Sequence, residues 1–338
     1  MTTNKCNAQC KVCFAQDTLK PEEMNMDDIK YIISKAGKNK KIMFFGLEPT
    51  VRNDLPEMIK LVKDSGNIPT LFTNGLKLAD SEYTKRLKTA GLKEVFLSFN
   101  GFQHTYQKLE SENSYNLKTK ALQNLKNNKL FTFLAFVLMD NINENEIEKM
   151  IPFLITNNDF IKGLFLVPLS PFGRLEIPQK RYFTYSDIIK KIVESKNTTC
   201  KEGYFFEFEK LKINLHKFLI KFRKNISTGS QIITVPFKIE DKLIKEVIDL
   251  KTLKKINSAL ENGNIWNLLK YTYFTMDFLR FFLNSTKFYY KNLDKNLIYI
   301  SLYQITTDLN YLPFWTHSIG IIKQKDNMNQ NKFIFNCI

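Results

Sequence analysis

The chain has 338 residues, 43% of them hydrophobic, with 50 Lys and Arg against 34 Asp and Glu and a formal charge of +16. This composition supports a large buried core and excludes a globally disordered chain. The sequence has no run of about 18 apolar residues and no apolar leader at its start, so we expect no transmembrane helix and a cytoplasmic location.

Strand and helix patterns alternate from residue 41 to residue 195. Apolar or alternating runs predict strands at 41–45, 70–72, 93–99, 130–138 and 163–167. Apolar residues at helical spacing predict helices at 54–65, 81–90, 115–128, 144–157 and 184–195. This alternation predicts an α/β fold of parallel strands joined by right-handed crossovers, in an open sheet or a full or partial barrel. Functional side chains are then expected at the carboxyl ends of the strands.

The composition changes at about residue 196, where Lys, Phe, Tyr and Asn become frequent and glycine becomes rare. Helices are predicted at 241–250 and 265–283, whereas 297–303 is compatible with a strand or a buried helical turn. We therefore predict two units, 1–195 and a mainly helical 196–338. The basic residues are spread along the whole chain, so the net charge reflects either general composition or an anionic partner and gives no clear indication of nucleic-acid binding.

Three of the five cysteines lie within eight residues, at Cys6, Cys10 and Cys13, and the other two, Cys200 and Cys337, are isolated. Disulfide scaffolds use an even and distributed set, so this pattern indicates a reduced compartment and a local metal or cluster site. Three thiolates on one loop ligate three irons of a cubane cluster and leave the fourth iron to an external molecule.

A zinc site in a small interaction protein is the alternative interpretation of the cysteine motif. Structural zinc takes four protein ligands, usually as two pairs. The sequence has no second pair, and its three histidines, His104, His216 and His317, are isolated. A fourth ligand from Cys200 or Cys337 stays open, and otherwise these two residues are ordinary thiols.

Further motifs follow the predicted strands in order. They are Gly46-Leu-Glu-Pro-Thr50, Thr73-Asn-Gly75 and Ser98-Phe-Asn-Gly101. Together with the Cys-x3-Cys-x2-Cys spacing, their order over residues 4–175 resembles the radical S-adenosylmethionine (SAM) superfamily. The stretches at 13–15 and 46–57 are most similar to the archaeal branch that contains tetraether-lipid synthases and pterin-methylating enzymes.

The resemblance implies a partial (β/α)6 TIM-like barrel, with residues 196–338 shaping the substrate pocket or capping the barrel. It also implies a [4Fe–4S] cluster on Cys6, Cys10 and Cys13, SAM as the second cofactor, and an electron donor such as flavodoxin or ferredoxin. Reductive cleavage of SAM would then yield a 5′-deoxyadenosyl radical that abstracts hydrogen from an unknown substrate.

The resemblance further implies that SAM is held by residues at the strand ends. These are Gly46, Glu48, Asn74, Ser98, Asn143 and Val167. Glu48 and nearby backbone carbonyls would bind the methionine ammonium, Ser98 would face the ribose or the methionine carboxylate, and the backbone at Val167 would flank adenine. Simpler roles stay open: a basic partner for Glu48, a turn for Asn74 and a helix cap for Asn143.

Three departures from the family pattern matter. Val12 stands where relatives often have an aromatic residue before the third cysteine. Leu47 stands where the family has a second glycine, and a positive φ there would strain its side chain. Such strain would favour a degenerate member that binds a cluster without cleaving SAM. The sequence also begins only five residues before Cys6, so the family's first strand is either missing or lies upstream of the sequence given.

Overall fold

The structure is a computed structural model that describes residues 2–13, 23–171, 173–220, 232–263, 297–303, 319–325 and 331–337. The predicted helix at 265–283 lies outside these residues. The described strands are β1 (Val12–Cys13), β2 (Lys41–Phe44), β3 (Ile68–Thr73), β4 (Glu94–Ser98), β5 (Phe131–Leu138), β6 (Ile161–Pro168), β7 (Arg174–Leu175), β8 (Ile232–Glu240), β9 (Leu243–Glu246), β10 (Leu297–Tyr303), β11 (Ile319–Lys325) and β12 (Asn331–Cys337). The described α-helices are α1 (Met26–Ala36), α2 (Leu55–Asp64), α3 (Ser81–Ala90), α4 (Gln103–Leu109), α5 (Glu112–Asn127), α6 (Ile147–Thr156), α7 (Tyr185–Val193), α8 (Glu202–Ile220) and α9 (Leu250–Glu261).

One eight-stranded sheet organises these elements, in the order β2-β3-β4-β5-β6-β10-β8-β9. Neighbouring strands from β2 to β6 are parallel, and β10 pairs with β6 in parallel as a sixth strand. β8 and β9 extend the sheet in antiparallel fashion. The α/β class is confirmed, and helices join the first five parallel strands as the alternating pattern predicts.

The two faces of the sheet differ in character because successive side chains of a strand point to opposite sides. One face carries aliphatic residues such as Leu71, Val95 and Leu134, which belong to the large core shared with the helices. The opposite face carries an aromatic row in which Phe72, Phe96 and Phe133 are stacked in succession. The carboxyl ends of the parallel strands form one edge between these faces.

The carboxyl-terminal part requires two corrections. The predicted helix at 241–250 is wrong, because β8 and β9 form a hairpin there and Asp241 and Lys242 both have positive φ. Two consecutive positive φ angles suit a two-residue hairpin turn, and the next helix starts only at Leu250, capped by Asp249. The expectation of a mainly helical segment also fails in its described residues, which contain five strands beside two helices.

The residues at 297–303 adopt the strand alternative, as β10 between β6 and β8. The sheet therefore continues across the predicted division at residue 195, which stays a prediction. Among the described residues, no helix combines the length and apolar character needed to cross a membrane.

Candidate functional site

The cysteine loop is attached at its amino end to the segment that follows β2. The Thr2 amide donates to the Phe45 carbonyl (2.6 Å), the Leu47 amide to the Thr3 carbonyl (3.1 Å), and the Glu48 amide to the Lys5 carbonyl (3.0 Å). These bonds form a short backbone ladder. They hold Cys6 at the carboxyl edge of the sheet.

The other end of the loop is attached elsewhere on the same edge. The Lys11 amide donates to the carbonyl of Leu109 (3.0 Å), the last residue of α4, and the Lys11 carbonyl accepts from the amide of Glu176 (2.9 Å). Beyond it, β1 pairs with β7, so that Cys13 lies opposite Arg174. The loop is thus anchored on both sides by backbone hydrogen bonds.

The three cysteines of this loop are free thiols, with Cys6 exposed and Cys10 and Cys13 half-buried. Burial raises the pKa of both the Cys6 and the Cys10 thiols, and the neighbouring thiols contribute in the same direction. Among the described residues, no three His, Cys, Asp or Glu side chains already form a metal-binding group. The donor set nevertheless suits an iron–sulfur cluster: three thiols share one anchored loop, and the Asn74 amide nitrogen lies 3.8 Å from Cys6 Sγ, as a donor to sulfur should.

Glu48 is fully buried and acts as the hydrogen-bond hub of the strand ends. Its Oε1 accepts from the Thr50 amide (3.0 Å) and from the hydroxyls of Thr50 (2.6 Å) and Thr73 (2.7 Å). Its Oε2 accepts from the Asn74 amide (2.6 Å). The carboxylate is therefore satisfied by hydroxyls and backbone amides, rather than by the ammonium or basic side chain considered from the sequence, and it ties the end of β3 to the loop after β2.

Gly46 and Leu47 have clear steric roles in this arrangement. A β-carbon at Gly46 would lie 2.6 Å from the Thr3 carbonyl oxygen and 2.9 Å from its nitrogen, so the amino-terminal segment passes where only glycine leaves room. Leu47 does not have a positive φ. The strain that favoured a degenerate family member is therefore not present.

Asn74, which directly follows β3, and Ser98, the last residue of β4, are connected by a lysine that sequence reasoning missed. The Asn74 side chain donates to Oδ1 of Asn7 (2.9 Å) and accepts from the Leu76 amide (2.9 Å), so it serves the turn and also contacts the cysteine loop. Nζ of Lys118 donates to the carbonyls of Asn74 (3.0 Å) and Ser98 (2.8 Å). Lys118 sits on α5 without any motif around it, so only the fold brings it to this edge.

Asn143 is buried and does not cap a helix, since α6 begins at Ile147 after Glu146. Its Oδ1 accepts from the Met139 amide (2.8 Å), and its Nδ2 donates to the carbonyls of Val137 and Asn100 (both 2.8 Å). Both amide hydrogens are thus used within the protein. In this conformation Asn143 joins the ends of β4 and β5 rather than facing a ligand.

Val167 lies near the end of β6 and is buried beside Ala135 and Phe165. These residues belong to the sheet face that carries the aromatic row, next to the partly buried Phe72 and Val137. The structure thus brings Gly46, Glu48, Asn74 and the cysteine loop into direct contact. Ser98 joins them through Lys118, and Val167 lies further along the same edge.

The contacts of Arg52 and Cys200 indicate that both residues have structural roles. The Arg52 guanidinium forms a bidentate pair with Asp54 (2.8 and 2.6 Å) and donates to the carbonyls of Thr2 (2.8 Å) and Met24 (2.5 Å). It therefore supports the segment that leads into the cysteine loop. Cys200 is buried in the main core, and the side chain of Cys337 lies outside the described set.

Comparison with known families relates the amino-terminal part of the chain to a described superfamily. Residues 1–154 match the profile of the radical SAM superfamily. This part of the chain is therefore a radical SAM domain. The cofactors of radical SAM domains are a [4Fe–4S] cluster and SAM, and the donors described above suit the cluster.

The radical SAM domain has curated relatives in archaea and bacteria. The chain is 34% identical over 215 residues to the 7,8-dihydro-6-hydroxymethylpterin dimethyltransferase of Methanocaldococcus jannaschii, covering 60% of this chain and 42% of that protein. It is 29% identical over 204 residues to the GTP 3′,8-cyclase of Peptoclostridium acidaminophilum, covering 56% of this chain and 61% of that protein. The first of these relatives confirms the expected likeness to the pterin-methylating branch. The chain spans less than two thirds of the length of both.

Solved structures resemble the radical SAM domain more distantly. Streptococcus suis SuiB bound to S-adenosylmethionine has a TM-score of 0.44 at 18% identity, covering 57% of this chain and 42% of that one. Methylornithine synthase has a TM-score of 0.46 at 15% identity, covering 57% of this chain and 59% of that one.

Proposed function

We propose that this protein is a radical SAM enzyme that holds a [4Fe–4S] cluster on Cys6, Cys10 and Cys13. When bound, the reduced cluster would supply one electron to SAM, releasing methionine and a 5′-deoxyadenosyl radical able to abstract hydrogen from the substrate. The observation that carries the proposal is the two-sided anchoring of the cysteine loop at the carboxyl edge of the parallel strands. That edge is where α/β folds assemble their sites.

The strand-end residues would prepare this edge for SAM. Glu48 is buried and already satisfied, so it would organise the loop while backbone carbonyls of residues 46–48 accept from the methionine ammonium. Asn74 would fix the cysteine loop through Asn7. Ser98, Asn143 and Val167 stay candidate contacts further along the edge, and the two polar ones would act through their backbone or a small side-chain rotation.

The carboxyl-terminal segment would shape the substrate pocket, since β10 extends the parallel sheet beside β6. The aromatic row on the adjoining sheet face would exclude water from the radical chemistry. A reducing compartment, the cytoplasm, would keep the thiols available and supply a donor such as flavodoxin or ferredoxin.

Replacement of one cluster ligand tests this function. Anaerobically purified wild-type protein should be brown, contain about four irons per chain, and release 5′-deoxyadenosine from SAM in the presence of dithionite. Cys10→Ala should lose the chromophore, the iron and the product together, because two thiolates cannot hold the cubane. Cys200→Ala is the matched control and should keep all three, since Cys200 is buried in the core.

Other results would point to the alternative functions. About one zinc per chain and no iron would support a zinc-binding interaction protein. A normal cluster that never yields 5′-deoxyadenosine would support a degenerate member of the family.

A further inference from the structure

A buried lysine lies beneath the cysteine loop. Lys118 is fully buried, and its Nζ donates to the carbonyls of Asn74 and Ser98 while lying 5.0 Å from the centre of the Tyr106 ring. Burying an ammonium costs several kcal/mol unless its surroundings compensate. A neutral donor would serve two carbonyls equally well, so the positive charge itself calls for an explanation.

A buried carboxylate accompanies the lysine. Oε1 of Glu110 lies 3.7 Å from Lys118 Nζ, and the Glu110 side chain is only 8% exposed. Its Oε2 is buried and has no hydrogen-bond partner among the described residues. The distance between Lys118 Nζ and Glu110 Oε1 exceeds that of a hydrogen bond, and Oε2 of Glu110 is unsatisfied. The pair therefore stabilises the fold poorly as an ion pair.

Both charges lie next to the cysteine loop. The carbonyl of Leu109, the neighbour of Glu110, accepts from the amide of Lys11, which is next to Cys10. Nζ of Lys118 donates to the Asn74 carbonyl (3.0 Å), and the side-chain amide nitrogen of Asn74 lies 3.8 Å from Cys6 Sγ. Two opposite buried charges are thus connected to the cysteine loop by short chains of contacts, which places them within electrostatic reach of its sulfurs.

We propose that Lys118 and Glu110 set the reduction potential of the cluster held by Cys6, Cys10 and Cys13, in opposite directions. This inference rests on the proposed function. The reduced cluster carries one more negative charge than the oxidised cluster, so Lys118 favours the reduced form and Glu110 the oxidised form. Net charge and hydrogen bonding around a cluster are what a protein uses to adjust its potential.

The test is a redox titration of the reconstituted protein, in which electron paramagnetic resonance measures the reduced cluster in the absence of SAM. At a fixed applied potential, Glu110→Gln should raise the ratio of reduced to oxidised cluster about tenfold, a shift of about +59 mV for one electron. Lys118→Met should lower the ratio by a similar factor. Lys118→Arg keeps the charge and should leave the potential near that of the wild type.

Matched controls carry the same charge changes on exposed side chains. Lys120→Met lies on the same helix and Glu148→Gln on α6, both exposed, where water and salt screen their charges. Neither should shift the potential. If Glu110→Gln behaves like Glu148→Gln, the proposal is overturned.

Other outcomes are equally decisive. Shifts of the same sign in Glu110→Gln and Lys118→Met would mean a general loosening of the loop, and would also overturn the proposal. If Lys118→Met does not hold a cluster, the other two variants test the proposal. Glu110→Gln should still raise the potential, and Lys118→Arg should still have a potential near that of the wild type. A wild-type protein without any iron–sulfur cluster would instead refute the proposed function, so the two failures are distinguishable.

Discussion

At the residue scale, the position of the cysteine loop depends on the close approach of the Thr3 backbone to Gly46. A β-carbon there would meet the Thr3 backbone at 2.6 Å, so Gly46→Ala should push the amino-terminal segment away. We expect a loss of about 1–3 kcal/mol in unfolding free energy and a clear fall in reconstituted iron. Urea unfolding and iron analysis measure the two effects.

Gly203→Ala is the control for this substitution. Its β-carbon would make ordinary contact, 3.4 Å from the Leu250 side chain, within α8. Alanine is the better helix former, so this variant should be equal to or slightly more stable than the wild type. A Gly46→Ala protein with wild-type stability and iron content would contradict the steric argument.

Single residues also mark the limit of what the sequence reveals. The motif around Glu48 could be predicted because its residue types and order are distinctive. Its partners could not, because the Thr73 hydroxyl is 25 positions away and reaches it only through the register of β2 and β3. The buried position of Lys118 is harder still to predict, because a lysine on an amphipathic helix is expected to face solvent unless the packing of the helix is known.

At the scale of elements, α7 allows a test with a defined pH dependence. Thr184 and Asp187 form a reciprocal capping box, in which Asp187 accepts from the Thr184 amide (2.7 Å) and hydroxyl (2.8 Å). Thr184→Ala should cost about 1 kcal/mol in urea unfolding at neutral pH. Lys190→Ala, on the exposed side of the same helix, should cost much less.

The companion variant Asp187→Asn tests the sign of the charge effect. Hydrogen bonds from the Thr184 amide and hydroxyl lower the pKa of Asp187 in the folded state. Its stabilising contribution is therefore complete above the unfolded pKa of about 3.9 and disappears as pH falls through the folded value. The stability gap between wild type and Asp187→Asn should close in acid; a gap that widens there would contradict this assignment.

The helices and strands differ in how well their own residues predict them. Helix α3 has the predicted bounds, because Asp80 caps it and Gly91 ends it with a left-handed conformation. The β8–β9 hairpin was missed because Asp241 and Lys242 are not a typical turn pair, and the segment has apolar residues at helical spacing. β10 stayed ambiguous because a short, fully buried apolar run carries no period.

At the scale of the whole molecule, the prediction of two units can be tested by dividing the chain. β6 is buried at every position and is paired on one side by β10. A fragment of residues 1–195 would expose this long apolar edge, so we expect aggregation where the full chain stays dispersed. Light scattering and amide hydrogen exchange would show the difference; a monodisperse fragment with protected β6 amides would favour two separate units.

The position of β10 also bears on how the protein is made. A ribosome releases Cys6, Cys10 and Cys13 early, whereas β10, the strand paired in parallel with β6, emerges almost 300 residues later. Contacts between such distant parts of a chain form late in folding. Iron delivered during translation would meet an unfinished sheet, so we expect cluster insertion to follow chain completion.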